Sequence, residues 1–154
     1  MSDYADIVRE FLQVAALARI PIKDSEIEIQ FAPAPHDPPA FLPKGKFAVY
    51  VFMFGDRCLK VGKAGSKSAA RFCSQHYGAN RAPSTLAKSL INAQIAGDKT
   101  VLDANNVSGW MRSNTSRINF LLPSSFGPTA LSLLEVFVQC RLKPEFEGFA
   151  SQRV

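Results

Sequence analysis

Cysteine is scarce in this chain. Its three cysteines, Cys58, Cys73 and Cys140, are odd in number and widely spaced, which excludes a disulfide framework and a paired-cysteine metal site and marks them as reduced thiols. Histidine is scarcer still. His36 has no second histidine or cysteine at a metal-binding offset and reads as a loop residue. His76 follows Cys73 by three positions, a spacing that puts both on one helical face without setting a base on a nucleophile. No stretch approaches the run of ~18 apolar residues that a membrane span needs. Asp3 and Asp6 at the start do not suit a secretory leader, so a cytoplasmic location is expected. No internal repeat is visible. Acid is missing from a long central region, where Asp56 is the only carboxylate between Lys44 and Ala96.

What is present is enough for one soluble domain with its own core: 154 residues, 47% of them hydrophobic and 20% charged. The net charge of +5 is unevenly placed. Lys44, Lys46, Arg57, Lys60, Lys63, Lys67, Arg71 and Arg81 crowd the acid-poor region. Such a cluster is either a phosphate-attracting surface, which gains by releasing counterions on binding, or a solvated lysine-rich face.

Along the chain, residues 4–19 carry Ile7, Val8, Phe11, Leu12 and Ala15 at helical spacing, and Pro21 ends that pattern. Residues 26–31 alternate as a short strand. Five of the ten prolines fall in 32–43, an extended connector in which Phe41 and Leu42 favour a strap lying across the sheet. Phe47 to Phe54 is an unbroken run of β-branched and aromatic residues, and Cys58 to Lys63 resumes the strand after a turn at Gly55-Asp56-Arg57. A three-residue loop there makes Phe54 face Cys58, Phe52 face Lys60 and Tyr50 face Gly62, which leaves Tyr50 and Lys60 on one face. A helix over 69–77 follows, with Arg71 in its first turn. Thr85 or Ser84 caps the next helix, to about Ala96; residues 101–112 hold Trp110 at helical spacing, 117–122 form a strand, and 129–142 an apolar helix. Glu135 is the only acid from Leu131 to Leu142 and sits beside the core stripe, either a solvated edge residue or one kept for a purpose.

The order Ala48-Val49-Tyr50, Lys60-Val61-Gly62, an arginine on the next helix and, much later, Leu134-Glu135 and Leu142-Lys143-Pro144 resembles the GIY-YIG nuclease domain. The likeness covers about two thirds of the chain, from Phe47 to Gly148. It implies an α+β fold: a small three-stranded antiparallel sheet flanked by helices over residues 44–150, preceded by an N-terminal helix, short strand and proline-rich connector over 1–43.

It also implies a metal-dependent endonuclease acting on DNA, with the choice between DNA and RNA left open. By that resemblance Tyr50 helps to activate water, Arg71 binds the phosphate and Glu135 holds Mg²⁺, or Mn²⁺ in its place. Lys60 stands where the second motif has tyrosine and supplies positive charge; Lys63, Lys67 and Tyr77 join Arg71 on the phosphate or DNA side. The aromatic or histidine partner one turn after the arginine falls at Gln75 by strict count, and His76 is the expected occupant of that role. Glu147 replaces the asparagine usual after the closing proline. These two departures motivate the alternative of a module that keeps the fold and binds nucleic acid or protein without cutting. Residues 1–43 do not resemble a helix-turn-helix or zinc module, which leaves weak intrinsic DNA affinity, a homodimer or a separate targeting protein as open alternatives.

Overall fold

The computed structural model of the chain describes residues 2–83, 85–96 and 99–146. Four antiparallel strands form one sheet: β1 (Glu28–Ala32), β2 (Lys46–Phe54), β3 (Arg57–Ala64) and β4 (Ser116–Pro123), in the spatial order β1-β4-β2-β3. The five α-helices among the described residues are α1 (Ser2–Leu17), α2 (Ala69–Cys73), α3 (Leu86–Ala93), α4 (Val107–Asn114) and α5 (Gly127–Leu142).

The α+β class holds, but the sheet has four strands where three were expected. The short N-terminal strand is no separate extension. It pairs with β4 from Glu28 opposite Leu121 to Ala32 opposite Arg117. Tyr4 on α1 meets Phe120 on β4, so residues 2–32 build the same core as the rest.

β2 and β4 are the inner strands and are covered on both faces, which explains why both read as continuous apolar runs rather than alternating ones. Phe47, Val49, Val51, Ile118, Phe120 and Leu122 face α1 and α5; the alternate residues Ala48, Tyr50, Phe52 and Leu121 face α2, α3 and α4. Two cores therefore share one sheet.

The hairpin differs from expectation in an instructive way. Its turn is two residues, Gly55-Asp56, with Phe54 opposite Arg57 and Gly55 at φ +57°, a conformation glycine adopts without the Cβ penalty. A two-residue turn by itself would have set Lys60 on the wrong face. The register shifts between Phe52–Lys60 and Met53–Cys58, and this bulge at Leu59 restores the parity, so that Tyr50 again lies opposite Gly62.

The helix expected over 69–77 is also shorter. α2 stops at Cys73, and a 3₁₀ turn follows from Gln75 to Tyr77. Thr85 caps α3, its hydroxyl accepting the Lys88 N–H at 3.2 Å; Ser84, Gly97, Asp98 and residues 147–154, including Glu147 and Phe149, lie outside the described residues. In the proline-rich connector Leu42 packs on the core while Phe41 stays exposed, so only half of the expected strap pair is covered. No helix among the described residues is long and apolar enough to cross a membrane.

Candidate functional site

Tyr50 is the centre of the arrangement. It stands in the middle of β2, 1% exposed, and its ring lies across Gly62 on the neighbouring strand. A Cβ at position 62 would fall 2.5 Å from the Tyr50 Oη and 2.6 Å from Cζ, so only glycine lets the hydroxyl reach over β3, the strand at one edge of the sheet. Burial pushes the Tyr50 pKa up, Arg71 and Arg117 oppose that, and Glu135 adds to it; the phenol is protonated at neutral pH.

His76, from the 3₁₀ turn, meets the Tyr50 Oη through Nε2 at 2.6 Å. The other ring nitrogen, Nδ1, accepts the backbone N–H of Leu86 at 3.3 Å. A neutral imidazole has one donor and one acceptor, so Nε2–H donates to Tyr50 and leaves the Tyr50 O–H free to point elsewhere. Burial lowers the His76 pKa to about 3, with Lys60, Arg117 and Arg71 adding to the effect, so this tautomer persists through the neutral range.

The cations arrive from three elements. Lys60, opposite Phe52 on β3, is buried on the Tyr50 face. Arg71 is exposed on α2, and Lys67 is exposed on the turn before it, which Ser68 fixes by accepting the Gly65 N–H at 2.9 Å. Arg117, at the start of β4, is 1% exposed; its guanidinium donates to Asn119 Oδ1 at 2.9 Å and to the Phe72 carbonyl, and lies over the rings of Phe72, Phe52 and Tyr50 at 4.8, 5.1 and 5.4 Å. Taking such a charge out of water costs several kcal/mol, which carbonyl, amide and aromatic faces offset together. Burial lowers its pKa, but from so high a starting value that the group stays charged.

On the other face of β3, Lys63 donates to Glu135 Oε2 at 2.7 Å and to Ser132 Oγ at 3.1 Å, both on α5. Glu135 is half-buried and close enough to Tyr50 to raise its pKa. Among the described residues no three histidine, cysteine, aspartate or glutamate side chains gather as a metal group. A lone carboxylate suits Mg²⁺ held jointly with waters and substrate phosphate, which is how that ion is commonly bound, rather than one caged by protein. Glu135 fits that requirement, in competition with the Lys63 ammonium.

No protein-family model, no curated protein and no solved structure matches the chain.

Tyr50 and His76 are thus in contact and Lys63 is tied to Glu135, while Arg71 and Glu135 reach Tyr50, and Lys60 reaches His76, through electrostatics. Tyr77 is engaged by other partners. It is 3% exposed, its hydroxyl bonded to His36 Nε2 at 2.7 Å, while His36 Nδ1–H donates to the Thr115 carbonyl at 2.8 Å. His36 is in the connector as expected, yet buried. Sequence reasoning missed Arg117 and His36. For Arg117 a signal existed: Arg117 and Asn119 sit two apart in a strand otherwise apolar, which puts both on one face of the sheet. For His36, among prolines, none did.

Proposed function

We propose that the protein is a metal-dependent endonuclease that hydrolyses phosphodiester bonds in DNA. The observation that carries this reading is the Tyr50 hydroxyl, fixed by a neutral histidine, with Arg71, Arg117 and one carboxylate, Glu135, within electrostatic reach and Lys60 within reach of that histidine. Positive charge in excess of the local acid suits a phosphodiester.

The raised pKa of Tyr50 argues against a tyrosinate base. Its oxygen, with one lone pair taken by His76 Nε2–H, offers the other to a water and its own proton to a phosphate oxygen. As the water oxygen bonds to phosphorus, the water proton passes to Tyr50 and the Tyr50 proton to the phosphate, so no phenolate forms. The P–O bond to the departing sugar oxygen breaks, and that oxygen takes a proton from solvent. Arg71, which is exposed, and Lys60, which is buried, stabilise the charge on the phosphate. Glu135 would hold a Mg²⁺ ion, which when bound supplies Lewis-acid stabilisation of the leaving oxygen.

Plasmid and single-stranded DNA incubated with Mg²⁺, Mn²⁺ or chelator test the proposal. Metal-dependent nicking that Glu135→Ala abolishes supports it. DNA that is retarded in a gel equally by both proteins, with chelator present and no nick formed, favours the second reading, a non-cutting binding module. One contact speaks for that alternative: Lys63 already neutralises Glu135.

A further inference from the structure

Arg117 grips two points on the segment that carries the candidate site residues. It donates to the carbonyl of Phe72 and, at 3.5 Å, to the hydroxyl of Tyr77. Phe72 immediately follows Arg71, and Tyr77 immediately follows His76. That segment needs an anchor, since α2 is five residues long, a length at which helix formation is poorly self-sustaining, and a 3₁₀ turn completes it.

We infer that Arg117 is a positioning residue for the proposed reaction, a buried brace that sets Arg71 and His76 against Tyr50 by holding the residues next to them. The inference rests on the nuclease reading for its catalytic consequence and on geometry for the brace itself. Arg117 is anchored to β4 through Asn119, so the guanidinium is fixed to the sheet that also carries Tyr50. The Phe72 ring stacks on the same guanidinium, which pins α2 by its side chain as well as its carbonyl. A second chain of bonds supports the Tyr77 end: the Tyr77 oxygen accepts from Arg117, its O–H donates to His36, and His36 donates to Thr115, next to β4. Among the described residues no carboxylate is bonded to Arg117, and the guanidinium is held by neutral acceptors and aromatic faces. A purely stabilising role would be served as well by an apolar side chain of similar volume, which avoids the desolvation cost. An arginine here does what an apolar residue cannot, which is to hold a carbonyl and a hydroxyl on two different turns at once.

The test uses the full chain with Arg117→Met, which fills the space without donors, and Arg117→Lys, which keeps the charge but not the forked geometry. Folding is checked by circular dichroism, and His76 is read by NMR of its imidazole resonances. Nicking of plasmid DNA with Mg²⁺ supplies kcat and KM. At a temperature where the variants are folded, Arg117→Met should shift the His76 resonances and speed exchange of its Nε2 proton by about tenfold or more. It should lower kcat by about 30–100-fold with KM little changed, as misplacement of reacting groups does. Arg117→Lys should fall between Arg117→Met and the wild type on both readouts. A folded Arg117→Met with wild-type His76 resonances and exchange overturns the brace. If Arg117→Met does not fold, Arg117→Lys decides alone, and wild-type His76 signals in it overturn the proposal. Should the wild-type chain not cut DNA, the nuclease reading fails by itself, and the NMR arm still judges the brace.

Discussion

Tyr50 and Tyr77 each meet a buried histidine, at 2.6 and 2.7 Å, but the two hydrogen bonds run in opposite directions. His76 receives a backbone N–H on Nδ1 and must give its proton to Tyr50; His36 gives its Nδ1 proton to a backbone carbonyl and must take one from Tyr77. One backbone group in each case sets the polarity of everything beyond it. The Tyr50 hydroxyl is left with a proton of its own to donate, within electrostatic reach of Arg71 and Arg117. The Tyr77 hydroxyl spends its proton on His36 and accepts from Arg117, which makes it a structural joint. The same two residue types thus make a candidate reactive group in one place and a fastening in the other.

The contrast breaks most visibly at the tyrosines. Tyr50→Phe should lower DNA nicking by about 100–1000-fold, as loss of a positioned proton-transfer group does. Tyr77→Phe should leave nicking within about tenfold of wild type. A plasmid assay that ranks the two the other way round would overturn the assignment.

Gly62→Ala should approach the Tyr50→Phe defect with the tyrosine still in place, because the added methyl takes the space of the ring. A stability loss of about 1–3 kcal/mol should accompany it, measured by denaturant unfolding. Gly109→Ala in α4, where a Cβ meets nothing within 4 Å, serves as the contrast and should be neutral or slightly stabilising.

Acid should separate the two histidines. Between pH 6.5 and about 3 the unfolded chain binds a proton that His76 in the folded chain refuses, so stability falls as pH drops through that window and is flat above it. Burial lowers the His36 pKa too, but its bond to the Thr115 carbonyl opposes the shift. Melting temperatures from pH 8 to 4 should therefore show a decline that His76→Leu reduces more than His36→Leu does. The smallest effect belongs to the fastening itself: Tyr77→Phe should cost about 1–2 kcal/mol, for a lost bond that leaves His36 Nε2 without a donor.

Much of this was legible in the sequence. The apolar runs of β2 and β4, the glycine turn and the stripe of α5 follow from local chemistry, and Tyr50 faces Gly62 as expected. That pairing came out right although the turn was misjudged, because a bulge at Leu59 made up the missing residue, and nothing in the local pattern announces a bulge. The placement of β1 depends on a partner strand about ninety residues away, which alternation alone does not identify. Arg117 was passed over because a cation at the start of a strand ordinarily turns to solvent. His36 was passed over because its two partners come from 41 and 79 residues further along.

Gly62 has a consequence for how such a chain can change over generations. The obstruction at this position comes from the ring carbons as well as the hydroxyl, with Cε2 only 2.8 Å from where a Cβ would lie, so phenylalanine at position 50 brings no relief. A side chain at position 62 is costly while position 50 keeps its ring, and comes cheaply only once that ring is gone. The two sites therefore favour changing as a couple, with position 50 moving first, because the reverse order passes through a destabilised chain.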